Sequence, residues 1–145
     1  AFEVLDYLKD KYSLHIITNG FDKTQHIKLE HANLSPYFNK IITSEKLGVK
    51  KPNPAIFAHA LDVAEATKEE SIYVGDNLIV DILGCQNFGI DGMFFNPEAK
   101  EHTEKVSFEI SIKRMDDRIP FLFISSFTRP LTDTRTTSVS KYLSI

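Results

Sequence analysis

The chain has 145 residues, 42% apolar and 26% charged, which fits one soluble globular domain of ordinary size. Its formal net charge of −3 gives no basis for binding a nucleic-acid polymer or an acidic membrane surface. A single cysteine, Cys85, excludes an internal disulfide and fits a reducing cytoplasm, and no apolar run is long enough to span a bilayer.

The first residues, AFEVLDYLKDKY, carry acids and do not resemble a secretory signal, and a start on Ala1 fits a beginning inside a longer protein. Phe2, Leu5, Leu8 and Tyr12 recur at helical spacing and predict an amphipathic helix over 2–11. LHII at 14–17 ends in TNG, the pattern of a buried strand closed by a tight turn. Residues 22–33 are mostly polar, and Ile27, His31 and Leu34 fall on one stripe, which predicts a surface helix. IIT at 41–43 reads as a second strand. KKPNPAIFAHALDVAEA opens on prolines, whose missing N–H costs little in a first helical turn, and then sets Ile56, Phe57, Ala60, Leu61 and Ala64 on one face. A third strand is expected at 71–74, a helix at 78–88 ended by Gly89, a fourth strand at 92–95 and a fifth at 107–110.

Strands alternating with helices through residues 1–110 predict right-handed βαβ units and a parallel sheet covered on both faces. Ligands of such sheets bind at the C-terminal strand ends, where the chain places Thr18, Asn19, Gly20, Thr43, Gly75, Asp76 and Asn96. Residues 111–145 differ in kind: they contain no Gly, Ala or Glu, and only 119–127 is apolar enough for burial. The expected division is a core at 1–110 and an atypical tail at 111–145 that is mobile outside 119–127 and open to proteolysis after Arg114, Arg118, Arg129 or Arg135.

Asp76 follows directly on the third strand, and Asp81 falls in the first turns of the next helix. Two hard oxygen ligands converging at one sheet edge suit Mg²⁺, which prefers carboxylates, waters and phosphate. Taken alone, Asp76 equally fits a helix N-cap and Asp81 a solvated helix acid. Thr18, Asn19 and Gly20 offer a hydroxyl and backbone N–H groups ahead of a helix, a place that attracts anions, although Asn-Gly also marks ordinary turns. Lys51 can neutralise a phosphate as a point charge or simply be solvated. His15, His26, His31, His59 and His102 show no metal-binding spacing, and Cys85 lacks a basic neighbour, as expected of an inert buried thiol.

In order and spacing, LHIITNG, GVKKPNP and VGDNLIVD resemble the second, third and fourth motifs of the haloacid-dehalogenase-like (HAD) hydrolase superfamily. The longer stretches IITNGFDKTQHIKLEHANLSPYF, SEKLGVKKPNPAIF and VGDNLIVDILGCQNFGID resemble the branch that contains pyrimidine 5′-nucleotidases. The resemblance runs from about residue 1 to Ile110 and implies a Rossmann-like three-layer α/β sandwich with a parallel sheet. It implies a cytoplasmic, Mg²⁺-dependent phosphomonoester hydrolase acting on a small phosphorylated substrate, a nucleoside 5′-monophosphate, through an aspartyl-phosphate. Carried over, Thr18 hydrogen-bonds the transferring phosphoryl group with the N–H groups of Asn19 and Gly20, and Lys51 holds the charge of nucleophile and phosphate. Asp76 binds Mg²⁺ directly, and Asp81 directly or through water.

The family's first motif, a strand followed by Asp-x-Asp-x-Thr, supplies the nucleophile and the general acid and precedes the other three. It does not occur in residues 1–145: MDDR at 115–118 and LTDTRT at 131–136 have neither its spacing nor its position. The resemblance therefore implies a sheet without its first strand and without most of the cap, to which only the helix at 2–11 could belong. The two neighbours of that strand are expected to lie unpaired, and the chain alone to be inactive. Two other readings are a non-catalytic remnant that binds phosphate or a partner, and a different chemistry on the same core. Asp76, Asp81 and Lys51 together disfavour dehalogenation, which has no need of Mg²⁺.

Overall fold

The computed structural model describes residues 2–110 and 140–143. Helix α1 (Phe2–Lys9) leads into strand β1 (Ser13–Thr18), helix α2 (Asp22–His31) and strand β2 (Lys40–Thr43). A short helix α3 (Ser44–Leu47) and helix α4 (Pro54–Ala64) precede strand β3 (Ile72–Gly75). A π-helical segment, Leu78–Leu83, runs on into helix α5 (Gly84–Phe88), followed by strands β4 (Asp91–Phe95), β5 (Phe108–Ile110) and β6 (Ser140–Leu143). The described strands form one sheet in the order β2-β1-β6-β3-β4-β5, and every neighbouring pair is parallel.

The sheet is covered on both faces, as side-chain alternation along β1 makes plain. Leu14 and Ile16 join Leu5 of α1, Leu29 of α2 and Phe38 in one buried cluster. Ile17 belongs to the other, with Ile56, Phe57 and Ala60 of α4, Tyr73 of β3, Ile82, and Cys85 of α5. The result is the three-layer parallel α/β sandwich that the alternating elements predict. In α4, Asn53 Oδ1 caps the helix by accepting from Ala55 N at 2.9 Å, and Pro54 begins it. Gly89, at φ 101°, ends α5 in the left-handed region.

Three expectations change. The buried residue of α2 is Leu29, whereas Ile27 of the supposed stripe is 42% exposed. The helix expected over 78–88 begins as a π turn, with Ile82 N donating to Asn77 O, and becomes α-helical only at Gly84. Third, the slot between β1 and β3, expected to be empty, holds β6. Unpaired N–H and C=O groups on two facing strand edges form a template for any extended segment within reach, and here residues 140–143 fill it. The expectations for residues 111–139, including burial of 119–127 and the four arginine cleavage points, lie outside the described residues.

Candidate active site

Thr18, Thr43 and Gly75 each end a parallel strand, so the sheet itself brings three loops to one edge. Two of those loops are stitched together by Asn19. Its Oδ1 accepts from Lys51 N at 2.8 Å, and its Nδ2 donates to Lys51 O at 3.1 Å. This double bond to one backbone unit fixes the loop after β1 against the loop before α4. Next to it Thr18 is buried, and its Oγ1 accepts from Gly20 N at 3.1 Å, which holds the turn closed.

Lys51 is only 7% exposed, so the solvated reading of this residue does not hold. Its Nζ donates to Ile17 O and to Tyr73 Oη, both at 3.0 Å, and pairs with Asp81 Oδ1 at 2.7 Å. An ammonium has three N–H donors, enough to meet these three oxygens. Asp81 is likewise buried, at 3% exposure, rather than a solvated helix acid. Its Oδ1 also accepts from Tyr73 Oη at 3.2 Å, and its Oδ2 from Asn77 N at 3.2 Å. The π turn carries Asp81 inward to this position, and Gly75 leaves the room: a Cβ there would stand 2.5 Å from Asp81 Cβ.

Asp76 is exposed and is not the helix N-cap. That role falls to Asn77, whose Oδ1 accepts from Val80 N at 2.9 Å. Asp76 opens instead onto a cavity of about 310 Å³ that it lines with Asn77, Phe94, Lys100 and His102. The far wall is held by Asn96, which binds Lys100 N, Lys100 O and Glu109 Oε1, and by His102, whose ring nitrogens meet Glu104 O and Glu109 Oε2. The Asn96 amide and the His102 ring hold the Glu109 carboxyl below its usual range.

Of the predicted residues, the hydrogen-bond network joins Thr18 and Gly20 as one pair, and Asn19, Lys51 and Asp81 through shared loops and an ion pair. Asp76 lies on the cavity side of the same strand end. Thr43 and Asn96 turn out to be structural: the Thr43 hydroxyl donates to Asp22 Oδ1 at 2.9 Å, and Asn96 ties down its own loop. Sequence reasoning passed over Tyr73, whose hydroxyl bridges Lys51 and Asp81, because a tyrosine in an apolar strand carries no signal beyond burial. Cys85 is buried with its thiol pushed up to about 12, first by desolvation and then by the nearby Asp81 charge. Asp76 and Asp81 have the hard oxygen donors Mg²⁺ takes, but among the described residues no three acidic, histidine or cysteine side chains converge as a metal group. Water and phosphate oxygens would have to complete the shell.

The fold and the strand-end loops define a Rossmann-like parallel α/β core. The chain belongs to the haloacid dehalogenase-like hydrolase family, which it matches over residues 1–95. It is 35% identical over 108 residues to the pyrimidine 5′-nucleotidase YjjG of Escherichia coli, covering 74% of this chain and 48% of YjjG. A glyceraldehyde 3-phosphate phosphatase of Methanothermobacter thermautotrophicus is 32% identical over 113 residues, covering 75% of this chain and 50% of that protein. The magnesium-bound crystal structure of YfnB from Bacillus subtilis superposes with a TM-score of 0.71 at 32% identity, over 76% of this chain and 48% of YfnB. The chain thus spans about half the length of the relatives it matches. Among the described residues no helix is long and apolar enough to cross a membrane.

Proposed function

We propose that this chain is part of a Mg²⁺-dependent phosphomonoesterase acting on nucleoside 5′-monophosphates, with Thr18, Asn19, Gly20 and Lys51 binding phosphate and Asp76 and Asp81 binding the metal. The observation that carries the reading is the buried Lys51–Asp81 pair, set at the strand ends beside Thr18. A buried ion pair is a poor source of stability, so its upkeep at a sheet edge where ligands bind favours a functional role. The relatives named as a nucleotidase and a triose phosphatase support a small phosphorylated substrate, and the YjjG-like stretches favour the nucleotide.

Phosphoryl transfer mainly requires positioning and neutralisation of spreading charge. Lys51 holds a fixed cation in a low-dielectric pocket, oriented by Ile17 O and Tyr73 Oη. The Thr18 hydroxyl accepts from Gly20 N and, among the described residues, has its proton left for a phosphoryl oxygen. Bound Mg²⁺ would polarise the phosphoryl group and offset its negative charge. The attacking carboxylate and the proton donor to the leaving oxygen come from an Asp-x-Asp-x-Thr segment outside residues 1–145. The chain alone is therefore expected to leave aryl phosphates unhydrolysed, since general acid–base help by itself is typically worth ~10²–10⁴-fold.

Binding without turnover can be read directly. NMR titration of the chain with Mg²⁺ and inorganic phosphate should shift the amides of Thr18, Gly20, Asp76 and Asp81, weakly and saturably, and Asp76→Asn should remove the metal response. Shifts that persist in Asp76→Asn, or none at these amides, would refute the assignment. The second reading is a non-catalytic phosphate binder on the same core. It gives the same titration but no turnover once the Asp-x-Asp-x-Thr segment is supplied.

A further inference from the structure

The loop that follows β1 spends much of its hydrogen-bonding capacity on itself. Gly20 N is turned onto Thr18 Oγ1 at 3.1 Å, and the Asn19 amide uses both its ends on the backbone of Lys51, at 2.8 and 3.1 Å. Lys51 Nζ already meets Ile17 O, Tyr73 Oη and Asp81 Oδ1. The start of α2 is committed too: Asp22 N donates to Glu45 Oε2 at 2.8 Å, and Asp22 Oδ1 accepts from Thr43 Oγ1 at 2.9 Å. A phosphoryl group in transfer presents three oxygens that carry spreading charge. The Thr18 hydroxyl has one proton to offer them.

Gln25 is placed differently. It closes the first turn of α2, where its N donates to Phe21 O at 3.0 Å, and a helical side chain leans toward the N-terminal end of its helix. The Gln25 amide accordingly packs on Gly20. A Cβ at Gly20 would collide with Gln25 Nε2 and stand 2.9 Å from its Cδ and 3.0 Å from its Cγ. The glycine thus lets this amide reach the loop at closest approach. Lys23, Thr24, His26, Lys28 and Glu30 of the same helix are exposed, whereas Gln25 is half-buried. Among the described residues its side-chain amide has no hydrogen-bond partner, although an amide carries two N–H donors and a covered one is ordinarily paired. We propose that Gln25 is a phosphoryl-binding residue of this site. Its Nε2 donates to an oxygen of the phosphate held at Thr18, supplying the donor that the loop loses when Gly20 N closes the turn. The inference rests on the phosphatase reading, since it takes the loop after β1 as the phosphate site.

The probe is inorganic phosphate, titrated into the full chain in the presence of Mg²⁺ and followed by NMR. In the unaltered chain the Gln25 side-chain NH₂ pair should shift together with the amides of Thr18 and Gly20, with one shared Kd. Gln25→Met keeps the length and the packing on Gly20 but removes both donors. Gln25→Glu keeps the shape and puts a carboxylate in their place. Each should raise the phosphate Kd roughly tenfold or more, the scale of one hydrogen bond to a charged group. The response of the Asp76 amide to Mg²⁺ alone and the urea midpoint of Gln25→Met should stay unchanged. A side chain that merely packs the loop predicts an unchanged phosphate Kd in Gln25→Met, and that result overturns the proposal. Should a variant lose stability or fail to fold, the NH₂ pair of the unaltered chain decides alone. A pair that stays still while Thr18 and Gly20 respond sinks the role of Gln25 and leaves the phosphate site standing. No response at Thr18 and Gly20 removes the phosphate site itself, and this inference with it.

Discussion

Lys51, Asp81 and Tyr73 form a closed triangle of buried polar atoms, with contacts of 2.7, 3.0 and 3.2 Å. Removing Lys51 or Asp81 leaves a buried charge without its counterpart. Lys51→Met should therefore cost about 3–5 kcal/mol in urea unfolding, and the pair Lys51→Met with Asp81→Leu markedly less. A loss below ~1 kcal/mol for the single change would mean that the pair is solvated. His15 gives a pH signature. It is buried, and desolvation, helped by the Lys40 charge, lowers its pKa from 6.5. The unfolded chain then binds more protons than the folded one just below pH 6.5, so stability should fall as pH drops through that value and level off below the folded pKa. Unfolding followed from pH 7.5 to 5 should show this slope, and His15→Asn should flatten it. Cys85, raised to about 12, should resist a thiol reagent at pH 8 until the protein unfolds. Thr18, Asn19, Gly20, Lys51 and the aspartates were legible because a strand end followed by a turn fixes their place in space. Burial of Lys51 and the role of Tyr73 were not, since both depend on which loops meet, a tertiary fact with no local signal.

The strands β1 to β5 and helices α1 and α4 lie where the apolar pattern sets them, within a residue or two at their ends, and α2 does so in extent though not in its buried face. The departures occur where local pattern and tertiary demand conflict. The 78–88 segment reads as an ordinary amphipathic helix, but Asp81 is drawn in to Lys51 and Asn77 N, and the first turns widen to π geometry. That widening depends on Gly75. Gly75→Ala would place a methyl 2.5 Å from Asp81 Cβ and should destabilise by about 1–3 kcal/mol. In the same variant the Asp81 amide should shift in the NMR spectrum, and an unchanged stability would mean that β3 and the π turn are not packed as described. β6 could not be foreseen, because Ser-Lys-Tyr-Leu has neither the alternation nor the aliphatic run of a central strand. Its place is set by the open edges of β1 and β3.

At the largest scale, the described strands form one continuous parallel sheet in a chain that spans about half the length of its relatives, with phosphate- and metal-binding candidates but no Asp-x-Asp-x-Thr in its 145 residues. The HAD family assignment and the three-layer fold were both legible from the three motifs and the alternation of elements. The most direct test joins an upstream segment with a strand, Asp-x-Asp-x-Thr and a cap to residues 1–110 and measures uridine monophosphate hydrolysis with and without Mg²⁺. The chimera should turn over only with the metal, and Asp76→Asn or Lys51→Ala should each cost about 10²-fold or more, while His59→Ala, exposed on α4, should change little. A folded chimera that hydrolyses the nucleotide equally well with Asp76→Asn and Lys51→Ala would contradict the assignment of these residues.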